Sequence, residues 1–253
     1  MEPAEYDRIA ELEEQHWWYL GMRAMARAWV ENLAVRHADR PWQILDAGCG
    51  TGGGMRWLSE FGQVRGIDLN SNAARYARRG GQEVAQASVQ ALPFADGCFD
   101  LVTSFEVLYH LAVTDDQAAL AEAARVLKPG GWFLVRVPAY DWLRGAHDRQ
   151  VHTRHRYGRA ELRDKLTGAG LTGERLSGAG LTILPPAILV RLLQRSRSVS
   201  SDVAMPSEAA NRFLLALLTV ESQWLRRRSL PAGLSLIALA RKPVAGAPFP
   251  QAA

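Results

Sequence analysis

A run of glycines wedged between a short apolar stretch and a helix-forming one constrains this 253-residue chain more than any other feature. Trp42-Gln43-Ile44-Leu45-Asp46 has the length and apolar content of a buried strand. It runs through Ala47 into Gly48-Cys49-Gly50-Thr51-Gly52, and residues 55–61 then read as a helix. Glycines at such a junction let the backbone turn sharply and bring main-chain N–H groups against a ligand. Twenty residues after Gly48, Asp68 closes a second strand, Val64-Arg65-Gly66-Ile67-Asp68. In a doubly wound sheet that carboxylate stands beside the same crevice, where it can hold two ribose hydroxyls.

The alternation continues downstream. Residues 73–79 read as a helix, 83–87 as a third strand and 99–104 as a fourth. A helix over 115–127 places Leu120, Ala124 and Leu127 on one face, and Lys128-Pro129-Gly130-Gly131 is expected to stop it. A fifth strand covers 132–137, a helix 159–168, a sixth strand 171–176 and a last strand 234–241. Strands alternating with helices predict an α/β fold, a mostly parallel sheet with helices on both faces. Upstream, 5–37 reads as helical, with Trp17, Trp18, Met22, Met25 and Trp29 at helical intervals. The expected organisation is a helical cap (1–40), a core (41–180 and 231–243), a helical insertion (181–230) and a disordered tail (244–253).

Composition sets outer limits. With 48% hydrophobic and 22% charged residues, one domain with a sizeable core is expected. No apolar run reaches the ~18–20 residues of a membrane-spanning helix. The acidic start MEPAEYDRIAELEEQ lacks the pattern of a signal peptide, so a cytoplasmic location is expected, with Cys49 and Cys98 reduced. A formal charge of +4 does not demand nucleic acid, and none is expected as a partner.

The glycine loop alone does not identify its ligand. Gly48-x-Gly50-x-x-Gly53 also satisfies the dinucleotide pattern, which keeps a nicotinamide-dependent oxidoreductase open. The absence of Gly-Lys-Ser/Thr argues against a P-loop. Further segments separate the readings: Ile44–Gly52 (ILDAGCGTG), Gly66–Asn70 (GIDLN), Ala91–Phe94 followed by Phe99-Asp100, Ser104–Leu111 (SFEVLYHL) and Arg125–Gly131 (RVLKPGG). In these segments, their order and spacing, the chain resembles the class I S-adenosylmethionine-dependent methyltransferases. The resemblance is to the broad type 11 group that includes ubiquinone and menaquinone methyltransferases. It implies a Rossmann-like fold with a seven-stranded sheet in the order 3-2-1-4-5-7-6, the last strand antiparallel.

The resemblance also implies a cofactor site. Asp46 and the loop Gly48, Cys49, Gly50 and Gly52 would lie against the methionine part of S-adenosylmethionine. Asp68 would bind the ribose and Leu69 would pack on the adenine. Ser88-Val89 stands where many relatives carry an acidic residue for the adenine amino group. Phe105 would line the methionine end. The segment Glu14-Gln15-His16-Trp17-Trp18-Tyr19, followed by Arg23, is similar to one that closes over the cofactor in relatives. Arg23 would hold the methionine carboxylate and Trp18 or Tyr19 would cover the site; an ordinary amphipathic helix is the plainer reading. The residues themselves agree, since the cofactor's carboxylate, ammonium, sulfonium and adenosine match loop amides, an aspartate and an apolar slot.

Two regions offer bases for the acceptor. Glu106 and His110 are four apart and would share a helix face. Ubiquinone O-methyltransferases carry a similar segment with two acidic residues and a His that can hold a divalent metal. Tyr109 replaces the second acid here, so no metal is assigned. The second region is His147-Asp148 and His152-Thr153-Arg154-His155-Arg156-Tyr157, which resembles a loop of one bacterial branch of the family. From it His155 and Tyr157 join the catalytic candidates, with capping of the next helix as the structural alternative. In the insertion, the apolar runs 184–193 and 213–220 and the arginines at 195, 197 and 226–228 suit a lid over a hydrophobic or lipid-linked acceptor, or equally two helices packed on each other or on a second subunit with the arginines in water. A peripheral membrane contact through 183–197 or a homodimer would use the same surfaces. The expected function is methyl transfer to a small-molecule acceptor, with oxygen favoured over nitrogen or carbon. A non-catalytic S-adenosylmethionine-binding module is the remaining alternative.

Overall fold

The computed structural model describes residues 10–37, 39–145, 148–149, 151–194 and 205–244. A helical turn at 10–15 precedes α1 (Trp17–His37). There follow β1 (Trp42–Ala47), α2 (Gly53–Leu58), β2 (Gly62–Asp68), α3 (Ser71–Arg79), β3 (Glu83–Gln86), β4 (Phe99–Phe105) and α4 (Asp116–Val126). The chain continues through β5 (Leu127–Pro138), α5 (Arg159–Gly168), β6 (Thr172–Ala179), α6 (Leu184–Gln194), α7 (Glu208–Leu225) and β7 (Ser235–Arg241). The strands form one seven-stranded sheet in the order β3-β2-β1-β4-β5-β7-β6. All pairs are parallel except those of β7, which runs antiparallel to both β5 and β6. This is the α/β architecture that the alternation and the resemblance imply.

Neighbouring side chains on a strand point to opposite faces, and the sheet uses both. Ile44, Leu101, Leu134 and Ile237 meet Met22, Met25 and Trp29 of α1 and Leu218 and Leu225 of α7. Leu45, Val102, Phe133 and Ala238 meet Leu120 and Ala123 of α4 and Leu162 and Leu166 of α5. Full burial of such a side chain is worth roughly 1.5–3 kcal/mol. Trp29 satisfies its indole by donating to the Leu225 carbonyl at 2.9 Å. The second helix of the 181–230 segment is therefore a layer of the core, packed on α1, and not a free-standing lid.

Three local expectations are corrected. The N-terminal helix breaks at His16, whose Nδ1 accepts from Trp18 N at 3.2 Å and so caps α1. The fifth strand begins at Leu127 and not at 132, so Lys128-Pro129-Gly130-Gly131 lies inside it as a bulge: β5 already pairs at Phe99↔Leu127, then jumps in register to Leu101↔Trp132. Residues 106–110 are not helical; Glu106 has φ 59°, and His110 N closes a turn on Val107 O at 2.9 Å. Glu106 and His110 therefore share no helix face. His147, Arg195, Arg197 and the tail beyond Val244 lie outside the described residues.

Candidate active site

The carboxyl ends of β1 and β2 meet at the glycine loop. Gly48, Gly50 and Gly52 all have positive φ (89°, 54° and 87°), a conformation that L side chains avoid. A Cβ on Gly48 would collide with the Val107 side chain, whereas one on Gly50 would meet nothing within 4 Å. The loop is thus packed from behind and open in front. Gly48 N and Cys49 N donate to Ile67 O at 2.8 and 2.9 Å. Asp68 faces the loop: one carboxylate oxygen accepts from Gly50 N at 2.9 Å and the other from Asn70 N at 2.8 Å.

Asp46 lies beneath the loop, buried, with Oδ1 accepting from the Thr103 hydroxyl at 2.8 Å. Burial pushes its carboxyl up to about 7, and the charges of Glu13 and Asp68 push the same way. The Cys49 thiol is likewise pushed up by burial, which keeps it protonated and inert. On the β3 side, Val89 is buried, Leu69 is exposed, and Ser88 Oγ accepts from Gln90 N at 3.2 Å.

The N-terminal segment sits on this loop. Thr51 Oγ1 donates to Glu13 Oε2 at 2.6 Å, and a Cβ on Gly53 would collide with the Glu13 carboxylate. Arg23 donates to the Glu13 carbonyl at 2.6 Å. Trp17 and Trp18 pack partly buried against the α1–α7 layer. The segment is tied down by Asn211 of α7, which accepts from Trp17 N at 2.9 Å and donates to Gln15 O at 2.8 Å.

Between the loop and the ends of β4 and β5 lies a second group of polar side chains. Arg136 donates to Glu106 Oε1 at 2.9 Å and its guanidinium lies 5.3 Å from the Phe105 ring centre. Phe105 stacks on Trp57, centroids 6.5 Å apart. Tyr19 and Tyr109 both sense the charges of Glu106 and Arg136, and burial pushes both phenols up, so they stay protonated. His110 Nδ1 accepts from Ala112 N at 3.1 Å. Burial and the neighbouring His152 ring, 5.7 Å away, hold its imidazole below its usual value, although Asp68 opposes this. A neutral imidazole that accepts at Nδ1 carries its proton on Nε2. His110 therefore offers a donor.

The 152–157 loop turns its charges inward. His155 Nε2 is 2.9 Å from Glu161 Oε1 at the start of α5, and Glu161 Oε2 accepts from Gly158 N at 3.2 Å. Tyr157 is fully buried, its hydroxyl 2.7 Å from Asp116 Oδ2 and 3.1 Å from Leu108 O. Arg156 pairs with Asp148 at 2.7 Å in a buried ion pair. The helix-capping alternative describes His155 better than catalysis does. Tyr157 has no access to an acceptor, because the loop uses it to anchor β5 to α4.

Of the residues the sequence singled out, the fold gathers Asp46, Gly48, Cys49, Gly50, Gly52 and Asp68 at one loop. Arg23 stands on the segment above it, and Glu106 and His110 stand beside it without a common helix. Glu13, Tyr19, Thr103, Tyr109 and Arg136 complete the surroundings. Arg136 carried a signal of its own, a lone cation inside the apolar strand 132–137.

This strand order and a glycine loop faced by Asp68 define a Rossmann-like nucleoside-binding α/β fold. The methyltransferase domain family matches residues 45–135, from β1 into β5. A fatty-acid O-methyltransferase of Mycolicibacterium smegmatis is 40% identical over 118 residues, 42% of this chain and 42% of that protein. A malonyl-[acyl-carrier protein] O-methyltransferase of Enterobacter lignolyticus is 32% identical over 216 residues, 74% of this chain and 82% of that one. A methyltransferase of Haloferax volcanii, solved with a methyltransferase activator, has the same fold with a TM-score of 0.62 at 22% identity, covering 97% of both chains. The chain belongs to the S-adenosylmethionine-dependent methyltransferases, and the nicotinamide alternative falls away. The family's cofactor fits the residues present: an open glycine cradle, an aspartate facing it and the apolar Val89 edge.

Proposed function

We propose that this chain methylates an oxygen of a carboxylate on a small apolar acid. The observation that carries this reading is the state of the ionisable groups beside the cofactor loop. Tyr19 and Tyr109 are held protonated, Glu106 is paired with Arg136, and His110 presents Nε2–H. A phenol or alcohol acceptor must lose a proton, a step for which a positioned base is worth roughly 10²–10⁴-fold. The two phenols and the His110 Nε2–H donate and take no proton, and the Glu106 carboxylate is engaged by Arg136. A carboxylate is already ionised at neutral pH, and phenol and imidazole N–H groups can orient it. The fatty-acid and malonyl names of the two relatives support an acid as the acceptor class.

The cofactor supplies a methyl group activated by positive sulfur. The residues of this chain bind and align. Asp68 holds the ribose hydroxyls, with Leu69, Ser88 and Val89 around the adenine. The Gly48–Gly52 amides, with Asp46, Phe105 and Arg23, surround the methionyl arm, and Tyr19, Tyr109 and His110 orient the acceptor. Alignment of this kind supplies much of the acceleration in displacement chemistry. The test is incubation with methyl-labelled S-adenosylmethionine and a panel of apolar acids, phenols and amines, followed by mild alkali. A methyl ester releases its label as volatile methanol. Alkali-stable label would overturn the carboxylate reading, and no transfer to any acceptor would favour the non-catalytic module.

The same reading extends to partners. Phe213, Val220 and Trp224 are exposed along one side of α7, and Leu189 and Val190 on α6. Arg212, Arg227 and Arg228 accompany the α7 stripe, and all three are exposed. An apolar stripe edged by arginines suits an anionic bilayer surface, from which an apolar acid could be drawn by a cytoplasmic enzyme. No helix among the described residues is long and apolar enough to cross a membrane. A homodimer through α7 is the competing occupant.

A further inference from the structure

We propose that Glu13 receives the α-ammonium of the cofactor's methionyl arm, so that one N-terminal segment supplies both charges that read the zwitterion, Glu13 for the ammonium and Arg23 for the carboxylate. The inference rests on the cofactor site and the Arg23 reading above. Its starting point is position. The Glu13 side chain is in contact with the glycine loop itself, through Thr51 at 2.6 Å and against Gly53. It reaches this place from a segment far away in sequence from the loop.

The second observation is charge. Among the described residues no basic group lies within ion-pair distance of the Glu13 carboxylate. The two nearby guanidinium groups turn to Glu14 instead, Arg56 at 2.5 Å and Arg23 at 3.6 Å. A partly buried carboxylate without a cation is costly, and burial raises the Glu13 carboxyl accordingly. A glutamine could accept the Thr51 hydrogen bond equally well, so that bond does not account for the charge. The charge is accounted for if a cation arrives with the ligand, and the ligand of this loop carries an ammonium on its methionyl arm.

The third observation couples the two charges. Arg23 donates to the Glu13 main-chain carbonyl at 2.6 Å, so guanidinium and carboxylate are carried on one unit. That unit is anchored by Asn211 to Trp17 N and Gln15 O, independently of the Glu13 side chain. Replacing Glu13 therefore leaves the segment in place.

The experiment compares two ligands by calorimetry on the full chain. S-adenosylhomocysteine carries the amino-acid head, and 5′-methylthioadenosine lacks it. Glu13→Gln is expected to weaken S-adenosylhomocysteine by about tenfold, the size of one charge-assisted hydrogen bond, and to leave 5′-methylthioadenosine within about twofold. Arg23→Gln should show the same selectivity, whereas Asn211→Ala, which frees the whole segment, should weaken both ligands. Equal loss of both ligands in Glu13→Gln would make Glu13 a mere latch, and unchanged binding of both would remove it from the site; either result overturns the proposal. If the unaltered chain bound neither ligand, the cofactor site itself would fall, a failure distinct from that of Glu13.

Discussion

Two aspartates at the glycine loop differ in their surroundings, Asp46 buried and Asp68 partly exposed. Asp68 accepts a main-chain N–H on each oxygen, which aims it at the loop. Asp68→Ala should weaken cofactor binding by roughly 1–3 kcal/mol through lost charge-assisted hydrogen bonds; unchanged affinity in calorimetry would take Asp68 out of the site. Asp46 is buried beneath the same loop with its carboxyl raised to about 7. Its folded value is above its unfolded one, so between about pH 4 and 7 the folded chain holds a proton that the unfolded chain has lost. Stability must then fall as pH rises through that window, by up to about 1.4 kcal/mol per unit from this group. Urea titrations should show the decline in the unaltered chain and a flatter profile in Asp46→Asn. Parallel profiles would mean that Asp46 is ionised throughout.

At the scale of elements, α7 does more than cover the sheet. Its buried Glu221 accepts from Gly180 N, Leu181 N and Thr182 N at 2.6, 3.0 and 3.2 Å, and from the Thr182 hydroxyl at 3.0 Å. One carboxylate thereby satisfies the whole turn between β6 and α6. Near the other end of the helix, Asn211 holds the N-terminal segment over the glycine loop. Glu221→Ala strands three main-chain donors and should cost roughly 2–4 kcal/mol, read as a lower urea midpoint. Glu221→Gln, with one acceptor oxygen left, should fall between. A change below about 0.5 kcal/mol would show that water replaces the carboxylate freely.

For the molecule as a whole, the outer face of α7 is the surface that the proposed reading assigns to a bilayer. Phe213, Val220 and Trp224 expose apolar surface, and Trp suits the boundary between headgroups and acyl chains. The chain should float with phosphatidylglycerol vesicles at low salt and detach as salt rises, since arginines supply part of the attraction. Phe213→Ser with Trp224→Ser should abolish flotation and leave methyl transfer to a short soluble acid unchanged. A concentration-dependent dimer that the same double variant dissolves, without flotation of the unaltered chain, would assign the face to a second copy.

Local patterns were legible along the chain because their causes are local. A strand that ends in glycines, an aspartate one strand later and alternating apolar runs depend on neighbours a few residues away. The strand–helix alternation and the glycine loop could therefore be anticipated before any coordinates, whereas the sheet order came only with the family resemblance. The roles of the ionisable side chains could not, because their partners are distant: Arg136 for Glu106, Asp116 for Tyr157. Even the shorter link from Glu161 to His155 depends on where α5 begins. Folding alone decided which of these groups became struts, which stayed donors and which unsuspected carboxylate, Glu13, came to rest on the loop. Burial and pairing between remote segments set a group's protonation and reach, and neither is written in the spacing of residues.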